Sequence, residues 1–301
     1  MHLSRAIAIA GLVTFANSST LVFAQTAHPA TPSAVSLIIR TDDIGMSHSV
    51  NMAMQKLVST GMPVSVSVLF VCPWYQEAVE ILKQHPNVSV GIHLALNSEW
   101  KNYRWGPVTG STAVPSLVDE NGFFFPSSEA LHQHNPNVAE VEKELRAQIE
   151  RALRSGVKID YVDEHMGTAT RYPEFREVTE RLAKEFGLGM SGYFGEAMDA
   201  PQYFAAPDRK SDSLVAFVNR LPPGLHGVVT HVGIDDAELG ALLDMNTDDP
   251  LPDMSKNRQG ELTALTSPRF SAALKARSIV LLTYRDVIAR EGLQSMRRPV
   301  E

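Results

Sequence analysis

Four short segments, far apart in the chain, carry side chains able to bind a metal ion or move a proton: Asp42-Asp43, His93, Asp163-Glu164-His165 and His231. Imidazoles and a carboxylate with one position left open form a common catalytic metal set. A divalent ion held in that way lowers the pKa of its water to roughly 7. Adjacent aspartates allow a division of labour. Successive side chains leaving a strand point in different directions, so one carboxylate can bind metal while the other stays free as a base. An imidazole across the site can return a proton to a leaving group. Taken singly, each group has a plainer reading: paired aspartates cap helices, and a lone histidine at a strand end is more often simply hydrogen-bonded. That reading weakens when all of them must lie at the same end of one fold.

The elements that must position these groups alternate in type. Ala34–Arg40 reads as a first strand running into Thr41-Asp42-Asp43, and Ser47–Leu57 follows with apolar residues at helical spacing. Val64–Val71, Val88–Leu94 and Lys158–Asp163 read as further strands, with Tyr75–His85, Val138–Ser155 and Glu174–Phe186 as helices. Gly227–Val232 and Ser278–Leu282 read as late strands, and Tyr284–Glu291 as a closing helix. Strand-then-helix order predicts an α/β fold with a parallel sheet covered by helices. A barrel is expected rather than an open sheet, because Asp42-Asp43-Ile44-Gly45 stands where a dinucleotide-binding fold carries a glycine-rich turn. In a β/α barrel the C-terminal strand ends face one mouth. Asn97–Asn135 and Gly192–Lys210 are long and irregular, which in a compact domain marks functional loops.

The 301 residues are 44% apolar and 20% charged, enough for a large core. A formal charge of −7 argues against nucleic acid or an anionic membrane as partner. The one cysteine, Cys72, excludes an intrachain disulfide and a cysteine-based zinc site, and reads as a small buried apolar residue. Arg5, the apolar run from Ala6 to Val13 and the small-residue site Val22-Phe23-Ala24 predict a signal peptide over residues 1–24, with a loose tether over 25–34. Export to a bacterial periplasm or the exterior is the corresponding expectation. No segment is long and apolar enough to span a bilayer. Nothing after residue 35 resembles an interdomain linker, so one domain is expected over 35–292, with a tail at 293–301. A homodimer is compatible with the sequence.

The motifs Thr41-Asp42-Asp43-Ile44-Gly45-Met46-Ser47, Val90-Gly91-Ile92-His93-Leu94-Ala95-Leu96, Asp163-Glu164-His165 and Thr230-His231-Val232-Gly233 stand in one order. They are followed by the run from Arg258 to Pro268 and by Tyr284-Arg285-Asp286. Across nearly all of residues 35–287 the chain resembles the YdjC-like carbohydrate deacetylases, of chitooligosaccharide deacetylase type. The resemblance implies a single-domain, TIM-like (β/α) barrel of the glycoside hydrolase/deacetylase type that removes an acetyl group from an N-acetylated sugar. It implies Asp43, His93 and His165 as metal ligands, Asp42 as the base and His231 as the acid. Arg258 matches a family arginine and is expected to position Asp42 or the substrate. The cofactor is one divalent ion; the donor set suits zinc first, with magnesium, manganese, cobalt or iron as alternatives.

Two departures stand out. Met166-Gly167 follows His165, where the family often continues with further histidines. Trp100, Tyr103 and Trp105 fall where the family usually has a short polar segment. Trp100 and Trp105 either stack on a sugar ring or pack as a local apolar cluster. Two other readings remain. A metal-independent glycoside hydrolase would need two carboxylates about 5–9 Å apart and would leave the histidines unexplained. A non-catalytic exported carbohydrate-binding protein would not need a free carboxylate beside the metal.

Overall fold

The computed structural model describes residues 34–246 and 253–299; the expected signal peptide and all but the last residue of the tether lie outside them. Strand β1 (Val35–Ile44) leads to helix α1 (His48–Val58), β2 (Ser65–Val68), α2 (Tyr75–Lys83) and β3 (Ser89–Leu94). After a long connection come α3 (Ser128–Gln133), α4 (Val138–Leu153), β4 (Ile159–Glu164), α5 (Thr168–Arg171) and α6 (Pro173–Phe186). Two short strands follow, β5 (Gly189–Met190) and β6 (Ala197–Asp199), then α7 (Lys210–Arg220) and β7 (Gly224–Thr230). The chain ends through α8 (Ala237–Gly240), α9 (Met254–Leu265), α10 (Pro268–Ala276), β8 (Val280–Leu282) and α11 (Tyr284–Glu291).

All strand pairs are parallel, in the order β5-β4-β3-β2-β1-β7-β6, and β8 pairs with the first half of β1. Parallel strands covered on both faces must be apolar or small throughout, and every residue of β2 and β3 is buried. The sheet is curled. In a flat sheet β4 would lie about 14 Å from β1, three strand spacings away. Yet Arg40 on β1 ion-pairs with Asp163 on β4 at 3.0 Å, and Ser67 on β2 hydrogen-bonds Tyr161 on β4 at 2.8 Å. Only a sheet whose inner face closes on itself allows both.

Side chains along β1 divide by the two-residue period of a strand. Leu37 and Ile39 join the large cluster that contains the helix side chains. Ile38 joins Tyr161, Phe194, Tyr284 and Val287 in a separate inner cluster. Arg40 and Asp42 rise above Ile38 on the same inner side. Of the expected architecture, the α/β fold with a curled, parallel sheet is present. Among the described residues no strand pairing joins β5 to β6, so hydrogen bonds do not close the ring there. β5 and β6 are two and three residues long, too short to mesh along an edge.

Helices α7, α9 and α10 were not foreseen from apolar periodicity, and β6 lies inside a stretch expected to be irregular. α9 buries Ser255, Asn257, Arg258 and Glu261 along with its leucines, so its inward face is polar and leaves no apolar stripe to read.

Close packing inside the curl singles out Gly91. A methyl group there would fall inside the ring of Tyr161. The substitution Gly91→Ala is expected to cost about 2–3 kcal/mol through overpacking, lowering the melting temperature by roughly 4–10 °C in a thermal scan. A variant melting with the wild type would show that Tyr161 moves freely.

Candidate metal centre

The site begins where β1 stops being regular. Alternation alone would send Asp42 inward and Asp43 outward. Between Thr41 and Ile44 the register against β2 slips, and Asp43 takes a left-handed backbone with φ 63°. Aspartate tolerates that conformation better than most residues. The irregularity turns Asp43 back, so both neighbouring carboxylates line one cavity.

Each carboxylate is held by its own arginine. Arg40 donates from Nε to Asp42 Oδ1 at 2.8 Å and from Nη2 to Asp42 Oδ2 at 2.7 Å. Its Nε also lies 3.0 Å from Asp163 Oδ2, and its Nη1 donates to Ser191 Oγ at 2.7 Å. Arg258, from α9, donates to Asp43 Oδ2 at 2.6 Å. Of the roles expected for Arg258, the one at Asp42 is taken by Arg40; Arg258 holds Asp43 and lines the cavity.

The imidazoles are oriented from behind. His93, near the end of β3, has Nδ1 3.0 Å from Asp163 Oδ1, which leaves Nε2 turned to Asp43 Oδ1 at 3.3 Å. His165, after β4, has Nε2 2.9 Å from Glu99 Oε2, which leaves Nδ1 3.1 Å from the same Asp43 oxygen. Glu99 and Trp100 are seated by a short antiparallel bridge, in which Lys101 N donates to Leu243 O at 2.8 Å and Met245 N to Glu99 O at 2.8 Å.

These residues fit a divalent cation. Asp43 Oδ1 is buried without a hydrogen-bond partner. One ligand atom each from Asp43, His93 and His165 lies within 4.8 Å of the others, and each residue's remaining polar atom is already engaged. A second cluster, Asp42 with His93 and Asp163, meets the same spacing. There the guanidinium of Arg40 already pairs with both carboxylates, so a cation of the protein's own fills the place.

The electrostatics follow. Burial disfavours charge on His93, but Asp163 and Asp42 outweigh it and hold the ring well above its ordinary pKa. Burial opposes charge on His165 too, and Glu99 with Asp43 overcomes it, to about 9. Burial would raise Asp43, yet Arg258 and the two imidazoles hold it well below the usual carboxylate range. Burial pushes Glu164, also on the cavity wall, up to about 7.

His231 follows the end of β7. Its backbone N donates to Glu261 Oε2 at 2.9 Å, its Nδ1 is buried with no hydrogen-bond partner, and burial pulls its pKa below the ordinary value. The cavity, about 330 Å³, brings together Asp42, Asp43, His93, His165, His231, Arg258 and Trp100. It does not include Trp105, one of the two tryptophans read as either a sugar-binding platform or a packed cluster. Trp105 is buried and packs edge-on against His165, with ring centroids 5.7 Å apart, so it buttresses a histidine from behind. Of the two readings of the aromatic segment, the packed cluster describes Trp105, and Trp100 reaches the cavity. Glu164, from the Asp163-Glu164-His165 motif, also lines it, as do Arg40, Glu99 and Tyr203, which were not anticipated. Arg40 alone left a signal: a cation two residues before Asp42 in an apolar strand must share its face.

The sequence profile of a protein family described as YdjC-like protein matches residues 36–276. A carbohydrate deacetylase of Geobacillus stearothermophilus is 28% identical over 267 residues, covering 83% of this chain and 96% of the relative. Another, from Thermus thermophilus, is 30% identical over 261 residues, covering 79% and 89%. Among solved structures, a candidate cellobiose-phosphate cleavage protein from Enterococcus faecalis superposes with a TM-score of 0.70 at 23% identity, covering 84% of this chain and 98% of that one; the likeness is one of fold.

Protons and a metal ion compete for the same imidazole nitrogens. Divalent-ion affinity is therefore expected to rise with pH up to about 9, as the His165 proton is lost. Calorimetry in buffers of different ionisation heat reads the proton release. In the metal-free protein the raised imidazoles stabilise the fold below the unfolded value of about 6.5. That contribution fades as pH rises through about 9, the folded value for His165. Affinity that stays flat from pH 6 to 9 would exclude these rings as ligands.

Proposed function

We propose that this chain, which belongs to the YdjC-like protein family, is a metal-dependent hydrolase that removes the acetyl group from an N-acetylated sugar. Two things support the reaction: relatives named carbohydrate deacetylases over most of their length, and a cavity in which a carboxylate not needed as ligand stands beside a metal-type donor set. The second observation carries the proposal, because hydrolysis of an amide requires a base next to an electrophile, whereas metal storage or sugar binding requires no such base.

Asp43, His93 through Nε2 and His165 through Nδ1 would hold the ion. When bound, the ion supplies electrophilic stabilisation of the acetamide carbonyl and acidifies water at the site. Asp42 is the base. Arg40 fixes its orientation through both oxygens, and a carboxylate that accepts one bond at each oxygen retains lone pairs for a proton from water. Water oxygen adds to the acetamide carbon, the C–N bond breaks, and acetate and an amine leave. His231 delivers a proton to the departing nitrogen. A ring whose pKa lies below the ordinary value is a strong donor in its protonated form, suited to a poor leaving group. Arg258 withdraws charge from Asp43 Oδ2 and leaves Oδ1 to face the ion. The barrel reading belongs with this proposal: Asp42, Asp43, His93, His165 and His231 lie at or just after the C-terminal ends of parallel strands, where a TIM-like enzyme carries its site, and Arg258 reaches them from α9.

Two substitutions separate the roles. Asp42→Asn is expected to lower acetate release from N-acetylated glycans by about a hundredfold to ten-thousandfold, with metal content by elemental analysis unchanged. His93→Ala is expected to lose both metal and activity. Full activity in Asp42→Asn would remove Asp42 as base. Wild-type turnover that survives exhaustive chelation would favour the metal-independent glycosidase reading instead.

A further inference from the structure

The cavity is small. Its 330 Å³ lies at the low end of the roughly 300–1,000 Å³ usual for small-molecule sites. One sugar residue fills it, and any further residue must run out over the rim. On that rim Tyr203 lines the cavity, and its ring meets His231 edge-on with centroids 5.5 Å apart. The next residue, Phe204, packs edge-on against Tyr203 at 5.0 Å and 86°. At 72%, Phe204 is the most exposed of the large hydrophobic side chains among the described residues.

This exposed ring is not on a loose loop. Lys210, fully buried, donates to the carbonyls of Gln202 at 2.9 Å and Tyr203 at 3.1 Å, and lies 3.5 Å from Glu261 Oε1. The other oxygen of Glu261 accepts from Gln202 Nε2 at 3.1 Å and from the backbone N of His231 at 2.9 Å. A buried ion pair is thus spent on tying the Tyr203–Phe204 corner to the strand end that carries His231. Burying a phenylalanine stabilises a fold by about 1.5–3 kcal/mol. A rigidly held phenylalanine left in water forgoes that gain, as expected of a surface that waits for a ligand.

We propose that the Tyr203–Phe204 corner is a second sugar subsite, in which the apolar face of a pyranose ring stacks on Phe204 while the neighbouring N-acetylated residue occupies the cavity. The proposal rests on the deacetylase reading above and deepens it. Phe204 sets preference for substrate length and takes no part in the bond-breaking step. Trp100 lines the cavity itself, and this subsite adds an exposed aromatic ring on the loop between β6 and α7.

The test compares N-acetylglucosamine with its β-1,4-linked trimer as substrates of the metal-loaded protein. Wild type is expected to prefer the trimer. Phe204→Ala is expected to lower the trimer-to-monomer ratio of kcat/KM about five- to tenfold, mainly through KM, and Phe204→Trp to restore it. A ratio unmoved by Phe204→Ala, or a loss that tryptophan does not restore, overturns the subsite. Should wild type release no acetate from either sugar, the deacetylase reading falls for these glycans, and calorimetric affinity for the trimer decides the subsite alone. Binding about tenfold tighter in wild type than in Phe204→Ala supports it, and equal or absent binding overturns it.

Discussion

A single, largely buried guanidinium organises the upper half of the sheet interior. Arg40 lies between Asp42 and Asp163 and touches Ser191, so one side chain joins β1, β4 and the turn after β5. Removing one partner of such a pair leaves an uncompensated charge in low dielectric and costs about 3–5 kcal/mol. The geometry of the centre inherits this constraint. Asp163 is fixed by Arg40 and by Ser67 Oγ at 2.7 Å, and it in turn sets the ring of His93. Beneath Arg40, Tyr161 and Tyr284 send their hydroxyls up to Ser67 and Ser191. The inner core therefore grades from apolar at Ile38 to ionic at Asp42 within four residues of one strand.

The second constraint is backbone. Two adjacent residues of a regular strand cannot face one cavity, and the left-handed Asp43 is what allows it. Such conformations cost of order 1–3 kcal/mol and persist only where the surroundings over-determine them. Arg258 does so from one side. From the other, Met46 N donates to Asp43 O at 3.0 Å and Gly45 N to Asn51 Oδ1 at 2.8 Å. Gly45 itself has φ 87°, and a Cβ there would lie 2.9 Å from the Tyr75 backbone, so α2 leaves no room for another residue.

What could be read in the sequence followed from regularity. The order of strands and helices, and the convergence of Asp42, Asp43, His93, His165 and His231, came from period and from strand ends, which a parallel sheet brings to one side. Three things escaped for physical reasons. α9 has no apolar stripe, because its inward face carries Arg258 and Glu261 to the site. Glu99 sits on an irregular segment positioned by pairing with Leu243 and Met245, a contact across more than a hundred residues that spacing cannot encode. The failure of β5 and β6 to pair depends on strands of two and three residues, below the length at which alternation is visible. The aromatic segment could not be resolved from sequence because a tryptophan near a site serves equally well as a buttress or a platform; Trp100 and Trp105 are both buried, and only their placement, on the cavity or behind His165, tells them apart.

The charge balance of the site explains why two aspartates in sequence can behave differently. Around the cavity and directly behind it stand the carboxylates of Asp42, Asp43, Glu99 and Asp163, against the guanidiniums of Arg40 and Arg258. Asp244 and Glu164 line the cavity as well, so carboxylates outnumber guanidiniums. In the metal-free protein the nearest of them, Asp163 with Asp42 and Glu99 with Asp43, overcome the burial that would keep His93 and His165 neutral. Under the proposed function a divalent cation would bring positive charge to the same place and allow both rings to turn neutral and coordinate. Asp42 contributes to holding His93 charged while Arg40 engages both of its oxygens, whereas Asp43 keeps Oδ1 without a hydrogen-bond partner.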